Sequence, residues 1–226
     1  AQTYARHPMT TMAATRTLDE AFPGRFLLGL GVSHAPLVEG VRGLDYSTPL
    51  KDMEAHLDAM DAAPFTARGP EGRPPRILAA LGPKMLALAA AKADGAHPYF
   101  TTPDHTATAR EILGPDKFLA PEHMVLLETD PDRARRVARA NMDRYLRLPN
   151  YSRNLARIGF SEEDISSVSD RLVDAIVLWG DVESIVPRVR EHLDAGADHV
   201  CVQALVEDPS EPPVQDWRRL AEALLP

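Results

Sequence analysis

The sequence contains little that would indicate a secreted, membrane-spanning or nucleic-acid-binding protein. Cys201 is the one cysteine among 226 residues, so no intramolecular disulfide can form, which fits a reducing compartment. No apolar stretch approaches the roughly 18 residues of a membrane span, and the N-terminus lacks a signal-peptide pattern. Lys and Arg total 25 against 33 Asp and Glu, without a basic tract. We therefore expect a cytoplasmic protein with no nucleic-acid partner and no membrane partner.

Motifs that would assign a reaction directly are also missing. There is neither a Gly-x-Ser-x-Gly elbow nor a Walker loop. Gly29 and Gly31 follow an apolar run, but His34 takes the place of the third glycine of a dinucleotide fingerprint, and Pro36 stops a helix from starting there. The histidines near predicted strand ends lack metal-ligand spacing, so we expect no zinc or iron site. These histidines are His7, His34, His97 and His199.

What is present is an alternation of short apolar runs with longer segments of helical periodicity. The predicted strands are 25–32, 76–81, 95–100, 123–129 and 199–205, with a stub at 1–5. Several are apolar almost throughout, which is typical of strands buried on both faces of a parallel sheet. Helix starts between them are marked by a polar cap, a proline and an acid. The alternation predicts an α/β fold with parallel strands.

About six strand-helix units can be counted, whereas a (β/α)₈ barrel has eight of roughly 30 residues each. The sequence therefore fits either a six-stranded open sheet or a barrel without its opening portion, and the non-Met start favours the second. We expect one domain over 1–226, with a helical insertion around 148–180. The Gly- and Pro-rich segments 35–49 and 63–75 are predicted to be long loops.

The segment 78–100, LAALGPKMLALAAAKADGAHPYF, joins a predicted strand to a predicted helix. Gly82 is expected to allow a sharp turn, and Pro83 suits the first helical position. The N–H groups of Lys84 and Met85 should then point out of the helix start, whose partial positive charge favours phosphate or carboxylate. A well-capped helix that binds nothing is the alternative interpretation.

Two stretches, 17–34 and 78–100, together with YARHP, LDAGADHVCVQAL and LPNYSRNLARIGF, resemble the luciferase-like monooxygenase superfamily. The resemblance is nearest to the actinobacterial branch of oxidoreductases that use coenzyme F420, and it covers nearly the whole chain. It implies a TIM (β/α)₈ barrel of the bacterial luciferase-like type, here lacking the first two strand-helix units. Superfamily members commonly dimerise, so a homodimer is an assembly that the resemblance allows.

The resemblance also implies where the site lies. In the family the cofactor crosses the C-terminal mouth of the barrel, with its phosphate tail near the helix that Gly82 opens. The implied cofactor contacts are Gly31, Val32, Ser33, Leu81, Gly82, Pro83, Lys84 and Met85. His34 stands where several relatives have an acid, and its imidazole is the expected catalytic group, as a proton shuttle or as a hydrogen-bond partner. The substrate is expected near Tyr46, His97 and Tyr99.

The function implied by the resemblance is hydride transfer between coenzyme F420 and a small organic substrate. Two alternatives remain open from the residues alone. One is an FMN-dependent monooxygenase of the same fold, and the other is a truncated or non-catalytic barrel that binds a cofactor.

Overall fold

The computed structural model describes residues 1–70, 72–208 and 210–225. The chain forms two compact units, of which the first comprises Ala1–His97 and Ile112–Phe118 and the second Pro98–Glu111 and Leu119–Pro226. Across the described ranges, no helix combines the length and the apolar character needed to cross a membrane. The expectation of one domain over 1–226 stays a prediction.

The elements of the first unit alternate as the sequence predicts. In order they are a 3-10 turn Thr3–Ala5, α1 (Pro8–Ala21), β1 (Leu28–Leu30), a π-helical turn Pro36–Val41, α2 (Pro49–Asp61), β2 (Arg76–Leu78), α3 (Pro83–Lys92) and β3 (Gly95–Ala96). The next helix, α4 (Pro103–Leu113), begins in the second unit and ends in the first, because the division falls after Glu111. Strand β4 (Phe118–Leu119) is divided between the two units in the same way, after Phe118.

The second unit continues with strands and a larger number of helices. In order they are β5 (Glu122–Leu126), α5 (Pro131–Leu146), α6 (Pro149–Arg157), α7 (Glu162–Ser167), α8 (Asp170–Ile176), β6 (Val177–Trp179), α9 (Val182–Asp194), β7 (Cys201–Ala204) and α10 (Val214–Leu224). Helices α1 to α6 all begin at a proline, whose fixed φ suits the first turn and whose missing N–H leaves no donor unsatisfied there.

The first sheet has the strand order β1-β2-β3-β4, and β2 pairs in parallel with both β1 and β3. Leu30 lies opposite Leu78, and both are almost fully buried. Gly95 in β3 allows a close approach, because a Cβ there would lie 1.9 Å from the carbonyl oxygen of Phe118. The carboxyl ends of β1, β2 and β3 consequently meet at one edge of the sheet.

The second sheet has the order β6-β5-β7, with all strands parallel. Glu122 lies opposite Cys201 and Met124 opposite Gln203, so these four side chains share one face. The other face carries the core between the sheet and helices α9 and α10, formed by Val125, Leu178, Ile185, Val189 and Leu220. The central strand β5 therefore directs His123 and Val125 towards the helices and Glu122 and Met124 to the other face.

Several predicted elements need correction. The stub 1–5 contributes a single parallel bridge, from Gln2 to Gly31, before the 3-10 turn begins. Strands β4 and β6 were not predicted, because two or three residues are too few to show a period. The segment 148–180 is helical only as far as Ile176, and the loop 35–49 contains the turn Pro36–Val41.

A glycine follows the end of α9. Gly196 has φ +97°, a left-handed value that glycine adopts without strain, and the Ala197 N–H donates to the His192 carbonyl at 2.9 Å. Pro187 lies inside α9 without ending it.

Candidate functional site

The carboxyl end of β1 is built from backbone contacts and small side chains. The Gly31 N–H donates to the Ala1 carbonyl, and the Gly31 carbonyl accepts from the Thr3 N–H, both at 3.0 Å. A Cβ at Gly31 would lie 3.2 Å from the Ala79 Cβ, so glycine permits the close packing of this edge. By contrast, a Cβ at Gly29 would meet nothing within 4 Å.

Ser33 has the left-handed backbone angle φ +63°, which is uncommon for a residue with a side chain. The Tyr46 hydroxyl donates to the Ser33 carbonyl at 2.7 Å, which holds this conformation. Tyr46 also packs against Tyr4, with ring centroids 5.5 Å apart, and burial raises the pKa of its phenol. The Ser33 Oγ is buried and has no hydrogen-bond partner among the described residues. The strand end therefore presents an unsatisfied hydroxyl.

His34 follows directly and opens the π-helical turn. Its carbonyl accepts the N–H groups of Leu37 and Val38, both at 3.0 Å. His34 is half-buried, beside Gly31, Val32 and Ser33 at the end of β1. The structure therefore brings the predicted catalytic residue to the strand end that carries the predicted ring contacts.

The start of α3 differs in two details from the sequence prediction. Gly82 has φ −83° and ψ 155°, an extended backbone that any residue can adopt, so no glycine is required for a sharp turn. The Gly82 carbonyl accepts the N–H groups of Met85 and Leu86, at 3.1 and 3.0 Å. The prediction that the Met85 amide is free for a ligand is therefore wrong. Of the described groups, the Lys84 N–H remains without a partner at this helix start, and the Lys84 side chain is exposed.

His97 lies at the same edge of the first sheet. Its N–H donates to the Leu78 carbonyl at 2.8 Å, just as the Ala79 N–H donates to the Leu30 carbonyl at 2.8 Å. The ends of β1, β2 and β3 thus carry the predicted residues 31–34, 81–85 and His97, side by side. We call this region the strand-end edge.

Tyr99 belongs to the second unit, where it joins an aromatic cluster. The Tyr99 hydroxyl donates to Gln203 Oε1 at 2.8 Å and lies 2.6 Å from the Tyr145 hydroxyl. Phe100 is buried and has the left-handed value φ +59°. Its ring centroid lies 5.2 Å from that of Tyr145 and 5.3 Å from that of Tyr151. We call Tyr99, Phe100, Tyr145 and Tyr151 the aromatic cluster.

Glu122, the first residue of β5, was not predicted as a site residue. Its side chain is 5% exposed, and neither carboxyl oxygen meets hydrogen-bond geometry with any described partner. Burial raises the pKa of Glu122 to about 8, although the Phe100 amide favours the ionised form. The carboxyl is also near enough to Tyr99 and Tyr151 to raise the pKa of both phenols, after burial as the main cause.

Gln203, Tyr145 and Tyr151 were also missed. The sequence does contain a signal for both Glu122 and Gln203. Glu122 directly precedes the predicted strand 123–129 and Gln203 lies within 199–205, and a polar residue in such a position needs an explanation when it is buried. Cys201, opposite Glu122, is half-buried, and burial raises the pKa of its thiol. A raised pKa disfavours the thiolate form that a cysteine nucleophile requires.

A buried histidine pair lies on the opposite face of β5. His123 Nδ1 and His192 Nε2 are 2.6 Å apart, and His192 Nδ1 lies 2.8 Å from the Thr106 hydroxyl. Burial lowers the pKa of His192 to about 4 and that of His123 well below its ordinary value. Both imidazoles are therefore neutral near pH 7 and contribute to packing between sheet and helices. Across the described residues, no group of three or more His, Cys, Asp or Glu is arranged to hold a metal ion.

Comparison with known proteins gives the family. The model of the luciferase-like monooxygenase family matches residues 1–199. The chain belongs to the luciferase-like monooxygenase family. A protein of Mycobacterium tuberculosis, provisionally named a coenzyme F420-dependent oxidoreductase, is 32% identical over 142 residues. The match covers 50% of this chain, and the chain spans 41% of that relative's length.

Solved structures of the same fold extend the comparison across the chain. An F420-dependent secondary alcohol dehydrogenase, solved with an F420-acetone adduct, matches with TM-score 0.72 and 17% identity, over 97% of this chain and 74% of that one. A type II Baeyer-Villiger monooxygenase of Pseudomonas putida, solved with FMN, matches with TM-score 0.67 and 16% identity, over 96% and 74%. The predicted fold class, an α/β fold of the luciferase-like (β/α)₈ type, is confirmed.

Proposed function

We propose that this luciferase-like protein is an oxidoreductase that transfers a hydride between coenzyme F420 and a small organic substrate. The observation that carries the proposal is the Ser33 hydroxyl, which is buried without a described partner at the end of β1 in a chain of this family. The printed names of the M. tuberculosis relative and of the secondary alcohol dehydrogenase, which both mention F420, support the choice of cofactor.

The strand-end edge fits a flat, anionic cofactor in three respects. Gly31 lets the end of β1 pack closely against Ala79, and Ser33 supplies an unsatisfied hydroxyl. The start of α3 supplies the Lys84 amide and a cationic side chain, each worth about 0.3–1 kcal/mol toward an exposed negative charge. In this proposal Gly31, Val32 and Ser33 contact the ring, and residues 81–84 hold the phosphate. Bound F420 supplies a carbon centre that gives or takes a hydride, while the protein supplies orientation.

The predicted substrate-side residues enter the proposal with different roles. His34 follows the proposed ring contacts, so its imidazole is proposed to hydrogen-bond the substrate or to move its proton. His97 and Tyr99 are proposed substrate contacts. Because the Tyr46 hydroxyl already donates to the Ser33 carbonyl, Tyr46 is proposed to contact the substrate through its ring.

An FMN-dependent monooxygenase is the second candidate, because the Baeyer-Villiger monooxygenase of the same fold was solved with FMN. Titrating the purified protein with F420 and, separately, with FMN distinguishes the two candidates. We expect saturable quenching of F420 fluorescence and weaker binding of FMN. Tight FMN binding without F420 binding would favour the monooxygenase.

The variant Ser33→Ala tests the observation on which the proposal depends. We expect a several-fold weaker affinity for F420, because one hydrogen bond contributes about 0.5–1.5 kcal/mol. Gly29→Ala is the matched control on the same strand, since a Cβ there meets nothing. Equal F420 affinity in wild type and Ser33→Ala would remove Ser33 from the site. Binding of F420 without any hydride exchange would support the non-catalytic barrel.

A further inference from the structure

The first unit contains a cavity of about 170 Å³ at the opposite end of its sheet from the strand-end edge. The cavity lies between α1, α2 and the first residues of β1 and β2, which are Leu28 and Arg76. Its inner wall is buried and apolar, formed by Met12, Leu28 and Met60. Since a cavity of about 150 Å³ can hold a benzene-sized molecule, this one has room for a small organic ligand. We call it the arginine cavity, after the residues that line its outer part.

Two of the three described arginines that line the cavity are already paired with a carboxylate. The terminal nitrogens of Arg76 donate to the two oxygens of Asp61, at 2.7 and 2.8 Å, and its Nε donates to the Lys92 carbonyl at 3.1 Å. Arg73 donates in the same bidentate way to Asp94, with both bonds at 2.8 Å. Each of these pairs is therefore neutral as a whole and does not call for a further anion.

Arg16 on α1 is the third arginine, and it has no anionic partner among the described residues. Its Nε is buried without an acceptor, and its guanidinium carbon lies 5.6 Å from the centroid of the Phe65 ring. Glu20, one turn further along α1, is engaged by Arg68 at 3.5 Å. A buried N–H without an acceptor is costly, and more so when the group is charged. The cavity therefore presents a cation without a counter-ion.

We infer that the arginine cavity binds a small organic monocarboxylate, whose carboxylate pairs with Arg16 and whose apolar body packs against the buried inner wall. Of the three arginine charges, two are matched by aspartates, so one positive charge remains for the ligand. The planar guanidinium suits the two oxygens of a carboxylate. A phosphate would bring more charge than Arg16 neutralises, and it has no apolar part for the inner wall.

This site is separate from the proposed cofactor site. The arginine cavity shares no lining residue with the strand-end edge, and the three-residue strands β1 and β2 place the two regions roughly 10 Å apart, at about 3.3 Å per residue. The described residues of the segment 63–75 take part in it, because Arg73 and Pro74 line the cavity and Phe65 stacks on Arg16. The inference thus gives this long loop a role and does not depend on the proposed function.

NMR of the protein labelled at its methionine methyl groups tests binding without an activity assay. Benzoate is the probe, and the controls are benzyl alcohol, which has a similar shape without the charge, and inorganic phosphate. We expect benzoate to shift the Met12 and Met60 signals with a Kd on the order of 1 mM, and to leave Met124 and Met142 of the second unit unchanged. Single Met→Leu variants assign the signals. Unchanged Met12 and Met60 signals, or equal affinity for benzyl alcohol or phosphate, overturn the inference.

Substitutions of Arg16 identify the group that holds the carboxylate. We expect Arg16→Gln to weaken benzoate binding about tenfold or more, because it removes hydrogen bonds between two charged groups. Arg16→Lys keeps the charge and loses the planar fork, so its affinity should lie between those of wild type and Arg16→Gln. Arg6→Gln, at an exposed arginine of the same unit outside the cavity, is the charge-matched control and should bind benzoate as wild type does. Equal benzoate affinity in wild type and Arg16→Gln overturns the inference, and if the glutamine variant does not fold, equal affinity in wild type and Arg16→Lys does so.

Discussion

The strand-end edge of the first unit and the aromatic cluster with Glu122 in the second unit use different parts of the chain. At the edge, the distinctive features are the closely packed Gly31, the left-handed backbone of Ser33 and the start of α3. The character of this region is therefore set by backbone conformation. Around Glu122 they are an acid, phenols and an amide, so ionisable side chains dominate. One region therefore depends on backbone conformation and the other on ionisable side chains.

The largest expected effect concerns the acid in the second unit. Because burial raises the pKa of Glu122 to about 8, the folded chain keeps a proton that the unfolded chain releases above about pH 4.5. The free energy of unfolding should therefore fall as pH rises from about 4.5 to 8, by on the order of 4 kcal/mol. Urea unfolding at a series of pH values measures this slope. Glu122→Gln should lose it, and an unchanged slope in the variant would contradict the assignment.

The histidine pair behind β5 should give the opposite slope. With its pKa lowered to about 4, His192 stays neutral in the folded chain while the unfolded histidine takes a proton below about pH 6.5. The free energy of unfolding should fall by roughly 3 kcal/mol as pH falls from 6.5 to 4. Acid titration of His192→Gln should show a smaller loss. A loss in His192→Gln as large as in the wild type would contradict this assignment.

In the first unit, substitutions of two tyrosines distinguish an effect on the backbone at Ser33 from an effect on stability alone. Tyr46→Phe and Tyr4→Phe each remove one hydroxyl hydrogen bond, to the Ser33 carbonyl and to the Asp52 carboxylate. Each should lower the free energy of unfolding by about 1 kcal/mol in urea denaturation. Only Tyr46→Phe should also weaken F420 binding, because it releases the left-handed Ser33. Equal F420 affinity in the two variants would show that Tyr46 does not position the edge.

The smallest expected effect is electrostatic. Lys84→Gln should weaken F420 binding about two- to fivefold at low salt, which corresponds to about 0.3–1 kcal/mol, and the difference should shrink at high salt. Fluorescence titration at two salt concentrations measures both. Lys51→Gln, an exposed lysine on α2, serves as the charge-matched control. A loss of the same size in both variants would mean that net charge, rather than the start of α3, governs binding.

The sequence predicted those features that a local pattern specifies. Helices with a proline at the first position were located well, because such a start depends on the conformational limits of one residue. Strands β4 and β6 were missed because so few residues carry no period. The hydrogen bond from the Met85 N–H to the Gly82 carbonyl was not predicted, because it depends on the geometry of the first turn of α3, which residue types do not specify.

The two candidate regions also differed in how far the sequence predicted them. The predicted residues 31–34, 81–85 and His97 lie together because parallel strands end at one edge, a consequence of topology that the alternation pattern already implied. Glu122, Tyr145 and Gln203 are brought together by the register of β5 with β7 and by the course of α5 and α6. Those arrangements depend on tertiary packing, so the sequence indicated single polar residues without showing that they meet.

A crystal structure of the protein with oxidised F420 tests the central claim most directly. The account predicts the deazaflavin ring against Gly31, Val32 and Ser33, with the Ser33 Oγ hydrogen-bonded and the cofactor phosphate within hydrogen-bond distance of the Lys84 amide. A ring bound away from β1, or a phosphate held far from the start of α3, would contradict it.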